Sequence, residues 1–446
     1  MMNDHLEWMY ALERFGIKPG LGAMREIMEV VGHPERQWPS VHIAGTTGKG
    51  STAAFMASVL RKGGYTVGLY TSPHLVTFHE RIQINGKQIS DRDLAVLAQE
   101  VREKLEGKGI RATFFEFTTA LAFLYFARQT IDIAVVEVGM GGRLDATNVI
   151  VPAISVITNV GFDHENYLGK TLAQIAGEKG GIIKGGVPVV TGAKNPEVLA
   201  LLKKSAQAKQ APFYALYESI EIKPLQATFD GQRFRIKPMV HPGGIPITGH
   251  PPGSTIWHKP TLGDLNRMKD EFEIGLLGRH QVDNAATALL VVDVLRGQGW
   301  GISGQALKSG LRETVWPGRM QILSRQPLVV VDGAHNQDGF KALYQFIKDW
   351  PRHDVLVLAA KHDKNFLAMY EKIVPLFSQV VVTEGTYEPM PADALALEIS
   401  SYVKRPPVVI PSATEAVVYA KSIVSPGGTM LITGSLYMIG AVYEIY

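Results

Sequence analysis

The sequence of 446 residues contains no cysteine. This absence excludes disulfide bonds, thiolate metal ligands and cysteine nucleophiles, and it is typical of a protein of the reducing cytosol. The sequence also lacks any run of about 18 apolar residues, so no segment is expected to cross a membrane. Its first residues include Asp4 and Glu7, where a secretory signal would be basic and then apolar. We therefore expect a cytoplasmic protein with no membrane partner.

Neither sign of charge is in excess. Lysine and arginine number 45 and aspartate and glutamate number 42, which gives a formal net charge of +3. Such a balance gives no reason to expect nucleic acid as a partner. Hydrophobic residues make up 46% and charged residues 20% of the chain, which is typical of a globular protein. At roughly 150 residues per domain, the length predicts two or three domains.

Short apolar runs rich in β-branched residues alternate with helical patterns through the first half of the chain. The predicted strands are Val41–Ala44, Thr66–Tyr70, Ile133–Val138, Ala153–Thr158 and Val187–Thr191. The predicted helices between them are Ser51–Lys62, Asp91–Glu106, Glu116–Arg128 and Thr171–Ile183. Strands of this composition are buried on both faces of a sheet, and the alternation predicts an α/β unit with a mostly parallel sheet.

A second, smaller alternation of the same kind begins near Leu328 and predicts a Rossmann-like α/β unit at the C-terminus. Its predicted strands are Leu328–Val331, Val355–Ala359, Val380–Thr383, Val408–Ile410 and Met430–Thr433. Its predicted helices include Asp338–Asp349 and Ala413–Ser422. We place the boundary in the Trp-Pro-Gly-Arg turn, which gives domains of residues 1–318 and 319–446. The Pro- and Gly-rich stretch Leu216–Thr261 predicts antiparallel ribbons and loops.

The strongest local signal is VHIAGTTGKGS, an apolar strand that runs into a glycine-rich loop before a helix. Gly45, Gly48 and Gly50 allow backbone amides to turn towards phosphate oxygens. Lys49 adds a positive charge near the terminal phosphates, and the Ser51 hydroxyl is suited to hold Mg²⁺. The spacing departs from the usual phosphate loop because Gly50 separates the lysine from the serine. No Asn-Lys pair occurs for guanine recognition, so a GTP-binding switch is disfavoured.

Polar residues follow further strands of both predicted units. Glu137 ends one strand of the first unit, and Asp163 and His164 follow the next. Ligands bind at the carboxyl ends of such strands, and a carboxylate with an imidazole is suited to Mg²⁺. Asp332 and His335 follow the first strand of the second unit. We therefore expect a cleft between the units, with nucleotide on one side and an acceptor on the other.

Eleven motifs together resemble one family in content and order. They are GTTGKGS, TSPH with HERIQING, TFFE, EVGMGGRLDATN, DHENYLG, GEKGGI, NAATAL, WPGRMQ, DGAHN, KHDKN and TGSLY. The chain resembles the folylpolyglutamate synthase/dihydrofolate synthase family of the Mur-ligase superfamily from about Gly20 to its C-terminus. The resemblance implies a ligase that phosphorylates a carboxylate with ATP and then joins it to the amine of L-glutamate, releasing ADP and phosphate. A carboxylate is a poor electrophile, and its phosphorylation supplies a leaving group.

The resemblance also implies roles for individual residues of this chain. Catalytic roles fall on Lys49, Lys179 and His335. ATP contacts fall on Thr46, Thr47, Gly48, Lys49, Gly50, Ser51, Asn284, Arg319 and Asp332. Pterin or folate contacts fall on Thr113, Phe114, Phe115, Glu116, Leu144, Asp145 and Ala146. Glutamate contacts fall on His335 and Ser435, and metal contacts fall on Ser51, Ser72, Glu137 and His164.

The same resemblance implies the cofactors and partners. Two Mg²⁺ ions are expected, one near Ser51, Ser72 and Glu137 and the other near His164, and a monovalent cation is compatible with the pattern. Lys179 is expected to carry a carbamate formed with CO₂, which requires a neutral amine first. The small-molecule partners are ATP, L-glutamate and either dihydropteroate or a reduced folate, and we expect a monomer.

The segment GGRLDATN, as it occurs in the family, predicts that one chain both makes dihydrofolate and extends folates, with Asp145 binding the pterin edge. This interpretation has three alternatives, and the first is a folylpolyglutamate synthase that only extends folates. A muropeptide ligase would carry a uridine-binding domain ahead of the phosphate loop, where only 44 residues precede Gly45. A non-enzymatic nucleotide switch would leave the second unit and its DGAHN loop without a role.

Overall fold

The computed structural model of the chain describes residues 2–16, 20–239, 271–361 and 367–446. Its strands are β1 Ser40–Ala44, β2 Val67–Tyr70, β3 Ile82–Ile84, β4 Lys87–Gln88, β5 Ile133–Glu137, β6 Ile154–Ile157, β7 Val189–Thr191, β8 Phe213–Ala215, β9 Ile220–Thr228, β10 Gly231–Pro238, β11 Glu271–Ile274, β12 Gln321–Arg325, β13 Leu328–Asp332, β14 Val355–Leu358, β15 Gln379–Val382, β16 Val408–Val409 and β17 Thr429–Thr433.

The α-helices of the described residues separate most of these strands. They are α1 Met2–Ala11, α2 Gly22–Val31, α3 Lys49–Lys62, α4 Asp91–Glu106, α5 Phe114–Arg128, α6 Glu165–Leu168, α7 Leu172–Gly180, α8 Pro196–Ala208, α9 Leu216–Ser219, α10 Arg279–Gly297, α11 Gly304–Arg312, α12 Gln337–Ile347, α13 Leu367–Ile373, α14 Ala392–Ile399, α15 Ala413–Ile423 and α16 Leu436–Tyr443. Short 3₁₀-helices cover Leu12–Phe15, Pro34–Arg36, Phe78–Arg81, Ala146–Val149 and Val374–Leu376. Among these helices, none combines the length and the apolar character needed to cross a bilayer.

The first unit is built on a sheet with the strand order β4-β3-β2-β5-β1-β6-β7-β8. Strands β2 and β5 to β8 run parallel to β1, and β3 and β4 extend the edge in antiparallel pairing. Every residue of β1, β2, β5 and β6 is buried, as expected for strands covered by helices on both faces. The register pairs Ile43 with Glu137 and Ala44 with Ile157, so the loops after β1, β5 and β6 share one edge.

The second unit has its own sheet with the order β12-β13-β17-β14-β15-β16. Its strands are parallel apart from β12, which pairs antiparallel with β13 at the edge. Asp332 pairs with Thr433, which brings the loops after β13 and β17 together. Two α/β units with mostly parallel sheets confirm the predicted fold class, and the boundary predicted at residues 318 and 319 falls between α11 and β12.

Some elements differ from the sequence-based prediction. The half-exposed edge strand β12 was not predicted, because its sequence QILSR mixes polar and apolar residues. Helix α8 was also missed, although Asn195 caps its first turn and Pro196 follows at the first helical position, a recognisable start signal. Strands β9 and β10 form the antiparallel ribbon predicted for Leu216–Thr261, and the part of that stretch beyond Met239 lies outside the described residues.

Candidate active site

A cavity of about 620 Å³ lies between the two units, at the edge where the strand-end loops of both sheets meet. Residues predicted from the sequence to contact nucleotide, metal or glutamate line it. They are Thr46, Thr47, Gly48, Lys49, Gly50, Ser51, Ser72, Glu137, His164, Lys179, Asn284, Arg319, Asp332, His335 and Ser435. The fold therefore brings these residues to one place, and the role of each stays a prediction.

The glycine loop after β1 is held by the loop after β6. The Asn159 side-chain oxygen accepts from the backbone N–H groups of Thr46 at 3.0 Å and Thr47 at 2.8 Å. Thr158 donates its hydroxyl to the carbonyl of Thr47 at 2.6 Å. Two of the predicted phosphate-binding amides are thus used within the protein. The amides left to face a phosphate are those of the first turn of α3, which have no partner within their helix.

Two glycines of this loop leave no room for a side chain. Gly48 has a φ of 80°, and a Cβ there would lie 2.3 Å from Oδ1 of Asn284. A Cβ on Gly50 would lie 2.8 Å from the Trp316 ring. The glycine that separates Lys49 from Ser51 is therefore explained by close packing against Trp316. Asn284 contacts the loop itself from α10, which begins at Arg279, so Asn284 lies in its second turn and not in the first as predicted.

Ser51 belongs to a buried chain of polar side chains. Gln281 donates its amide to the Ser51 hydroxyl oxygen at 3.2 Å, and Asn284 donates to the Gln281 oxygen at 3.0 Å. Gln281 is fully buried and lines the cavity. Sequence reasoning missed it, although it lies three residues before Asn284 and hence on the same helix face.

Glu137 places one buried carboxylate beside the glycine loop. Its Oε2 accepts from the Ser72 backbone N–H at 3.1 Å. Burial raises the pKa of Glu137, and the nearby positive charge of Lys49 opposes that rise. In the part of the chain that the structure describes, no group of three or more histidine, aspartate or glutamate residues forms a ready metal site. One carboxylate and a serine hydroxyl are nevertheless a suitable protein contribution for Mg²⁺, which usually completes its shell with phosphates and water.

Lys179 lies in α7 and is 2% exposed. Burial lowers its pKa from 10.5 to about 7, the charge of Lys49 lowers it further, and Asp163 opposes both. A substantial fraction of the amine is therefore neutral near pH 7. His164 lies at the same rim with 43% of its side chain exposed, and its Nε2 is 4.0 Å from Oδ1 of Asp163.

The second unit contributes the loop after β13. Asp332 accepts hydrogen bonds from the backbone N–H groups of Met320 and Ala334, each at 2.9 Å. Burial raises the pKa of Asp332, and the positive charge of Arg319 opposes that rise. His335 donates from Nδ1 to the carbonyl of Gly333 at 2.8 Å, which fixes the ring.

Two further contacts complete this side of the cavity. The Ser435 hydroxyl caps α16 by accepting from the Tyr437 N–H at 3.2 Å. Asn336 donates to Oδ2 of Asp163 at 3.1 Å, which joins the two units through a buried hydrogen bond. Lys361 of the motif KHDKN lines the cavity, and its amine lies 4.8 Å from the ring centre of Tyr387. Residues 362–366 lie outside the described residues.

The residues predicted to contact pterin or folate do not line this cavity. They are Thr113, Phe114, Phe115, Glu116, Leu144, Asp145 and Ala146. Thr113 and Glu116 form a capping box at the start of α5, with Oε2 of Glu116 accepting from the Thr113 N–H and hydroxyl at 2.8 Å each. The Phe115 ring packs on the backbone, since a Cβ on Gly139 would lie 2.5 Å from it.

Asp145 uses both carboxylate oxygens within its own loop. Oδ2 accepts from the Met140 N–H at 2.8 Å, and Oδ1 accepts from the Thr147 N–H at 3.0 Å and from its hydroxyl at 2.5 Å. Thr147 in turn accepts from the buried Nε2 of His42 at 2.8 Å. A pterin bound to Asp145 as predicted would have to share carboxylate oxygens that already accept hydrogen bonds within the glycine loop after β5.

Comparison with known proteins gives a consistent result. The Mur ligase middle domain matches residues 43–292, and the glutamate ligase domain of Mur ligases matches residues 318–436. The dihydrofolate synthase/folylpolyglutamate synthase of Bacillus subtilis is 35% identical over 98% of this chain and 97% of its own. The folylpolyglutamate synthase of Lacticaseibacillus casei is 33% identical over 94% and 92%. The structure of Mycobacterium tuberculosis folylpolyglutamate synthase complexed with ADP is 30% identical, with a TM-score of 0.85 over 100% of this chain and 98% of that one.

Proposed function

Because the chain belongs to the dihydrofolate synthase/folylpolyglutamate synthase family of Mur ligases, we propose that it adds L-glutamate to dihydropteroate and to folates at the expense of ATP. The acceptor carboxylate takes the γ-phosphoryl group of ATP, and the glutamate amine then displaces phosphate to form an amide. The observation that supports this most is the shared cavity, which is lined by Lys49 of the phosphate loop and by His335 and Ser435 of the second unit.

The residues of the first unit suit phosphoryl transfer. The first-turn amides of α3 and the amine of Lys49 would bind the phosphates and balance the charge that develops on them. Glu137 and Ser51 would hold Mg²⁺, which neutralises phosphate charge when bound. Burial raises the pKa of Glu137, and a nearby cation would favour the ionised form of this carboxylate.

The finer assignments are parts of the same proposal. Ser72 joins Ser51 and Glu137 at one Mg²⁺, and His164 serves a second. Asn284, Arg319 and Asp332 contact ATP, His335 and Ser435 place glutamate, and the residues from Thr113 to Glu116 and from Leu144 to Ala146 face the pterin. A monovalent cation, a monomeric state and a cytoplasmic location complete this proposal.

Lys179 is proposed to carry a carbamate. Its neutral amine attacks CO₂, a nitrogen–carbon bond forms and one proton is released, so a neutral amine becomes an anion beside Lys49. Burial supports this chemistry because it lowers the pKa of Lys179 to about 7 and so supplies neutral amine. Carbon-13 bicarbonate should give a carbamate NMR signal in the wild type that is missing from Lys179→Met.

ADP release tests the function when ATP, L-glutamate and one acceptor are supplied together. Release should require glutamate and should occur with dihydropteroate and with tetrahydrofolate, and the product mass should show one added glutamyl group. The engagement of both Asp145 oxygens favours a second candidate, folate extension alone. Robust extension of tetrahydrofolate without product from dihydropteroate would select that candidate. Glutamate-independent ATP turnover with either acceptor would refute both.

A further inference from the structure

A buried arginine next to the cavity has no acidic partner among the residues that the structure describes. Arg81 ends the 3₁₀-helix Phe78–Arg81 and is 8% exposed. Its Nε donates to Nδ1 of His74 at 2.8 Å, and its Cζ lies 5.3 Å from the centre of the Phe114 ring. Across residues 2–16, 20–239, 271–361 and 367–446, no carboxylate forms an ion pair with Arg81. A guanidinium keeps its charge when buried, and buried charges in proteins are normally paired.

Two acids near Arg81, Glu80 and Glu137, accept hydrogen bonds from backbone groups. The Glu80 carboxylate accepts from the N–H groups of Leu75 at 2.7 Å, Val76 at 2.8 Å and Thr77 at 2.8 Å. These bonds fold the loop that precedes Arg81 and leave its guanidinium without a counter-ion. Glu137 accepts from the Ser72 N–H and faces the cavity.

The space around the guanidinium is aromatic. The Tyr10 ring stacks on Phe114 with centres 5.6 Å apart, and Phe78 meets Phe114 edge-on at 6.2 Å. Because Nδ1 of His74 accepts the hydrogen bond from Arg81, that nitrogen carries no proton, and Arg81 is the charged member of this pair. Flat apolar walls around one fixed cation suit a ligand that carries an aromatic ring and a carboxylate.

The Arg81 group lies where both units meet. The charge of Arg81 acts on Glu137 of the first unit and on Tyr437 of the second, and both of these residues line the cavity. The loop before Arg81 also touches the second unit, because a Cβ on Gly440 would lie 2.6 Å from the Leu75 carbonyl oxygen. The guanidinium is therefore held at the junction of the units, against the ring of the predicted pterin contact Phe114.

We propose that Arg81 binds the carboxylate of the acyl acceptor, a ligand whose aromatic ring lies against Tyr10 and Phe114. This inference rests on the proposed function and names the residue that positions the acceptor for phosphorylation. The planar fork of arginine binds a carboxylate through two parallel hydrogen bonds, which fixes direction as well as charge. Lysine would keep the charge and lose that direction.

The test pairs a change in the protein with a change in the ligand. Dissociation constants are measured for dihydropteroate and for its analogue with a carboxamide in place of the carboxylate. The proteins are the wild type, Arg81→Gln and Arg81→Lys. The wild type should prefer the carboxylate at least about tenfold, Arg81→Gln should show no preference, and Arg81→Lys should keep part of it. The KM for the acceptor should rise in the variants while the KM for ATP stays unchanged.

Arg102→Gln is the matched control. Arg102 also lies over an aromatic ring, with its Cζ 4.8 Å from the centre of Trp8, but it is paired with Glu106 at 2.8 Å on an exposed helix face. It should leave the carboxylate preference intact. ADP binding reports folding of each variant, and if Arg81→Gln does not fold, the reduced preference of Arg81→Lys decides.

Two results would overturn the role of Arg81. One is an undiminished carboxylate preference in folded Arg81 variants. The other is a rise in the KM for glutamate in place of the KM for the acceptor, which would put Arg81 on the amine side. A wild type that binds ADP but neither extends nor binds any pteridine carboxylate would instead refute the proposed function, and the assignment of Arg81 would fall with it.

Discussion

Replacing Lys179 by methionine should stabilise the protein at neutral pH while ending its ligase activity. Methionine keeps the length of the side chain in α7 and removes the buried amine, which is 2% exposed. Burial is the largest cause of the lowered pKa, so the folded protein opposes the charged form of Lys179. The free energy of unfolding of the wild type is therefore reduced by the buried charge of Lys179 and not by poor packing of its side chain.

The size and sign of the effect follow from proton binding. The pKa falls from 10.5 to about 7, a gap worth roughly 5 kcal/mol at about 1.4 kcal/mol per unit. Between the folded and the ordinary pKa the unfolded chain binds more protons, so wild-type stability rises with pH in that window. At pH 7 the wild type bears most of this penalty, on the order of 4 kcal/mol, and near pH 10 it bears little. The advantage of Lys179→Met should shrink accordingly as pH rises.

Urea unfolding of both proteins from pH 6.5 to 10, in buffers free of CO₂, measures this difference. Lys108→Met is the control, because Lys108 is exposed and its replacement should give no pH-dependent gain. A Lys179→Met protein that is less stable than the wild type at pH 7, or a difference that does not change with pH, would refute the reasoning. Turnover measured on the same samples should be lost in Lys179→Met at every pH.

Three further outcomes are expected. Lys49→Ala should lower turnover at saturating ATP about 100-fold or more with unchanged unfolding, because Lys49 faces the cavity; near-normal turnover would contradict its role. Gly48→Ala should weaken ATP binding about tenfold or more by calorimetry, since its φ of 80° and the contact with Asn284 exclude a Cβ; unchanged affinity would count against the tight loop. Asp145→Ala should lower the free energy of unfolding by about 1 kcal/mol through loss of its cap and should reduce dihydrofolate synthesis more than folate extension; equal rates with both acceptors would remove Asp145 from pterin binding.

Much of the fold was predictable because its signals are local. The buried strands are short β-branched runs, and the structure places β1 at Ser40–Ala44 and β5 at Ile133–Glu137, within one residue of the predicted bounds. Because the ends of neighbouring parallel strands meet at one edge, residues far apart in sequence could be assigned to a common site. The cavity contains Glu137 and Lys49 for that reason.

The remaining features of the site depend on contacts between distant segments. Asn159 binds the amides of Thr46 and Thr47 across more than 110 residues of sequence, and no local pattern distinguishes it from an ordinary loop asparagine. The hydrogen bond from Asn336 to Asp163 depends on how the two units pack against each other. The role of Arg81 could not be predicted from the sequence either, because the lack of an acidic partner among the described residues can be seen only in the folded structure.

The ionisable groups of the cavity share one property that the sequence does not reveal. Burial is the largest cause of the raised pKa of Glu137 and Asp332 and of the lowered pKa of Lys179, so each group is pushed towards its neutral form. Bound phosphates would favour the charged form of Lys179, and a bound cation would favour the charged form of Glu137. Nucleotide binding should therefore favour proton uptake at Lys179 where its amine is not carbamylated, and metal binding should favour the ionised form of Glu137. The same burial that costs stability without ligands makes the site sensitive to the charges of its substrates.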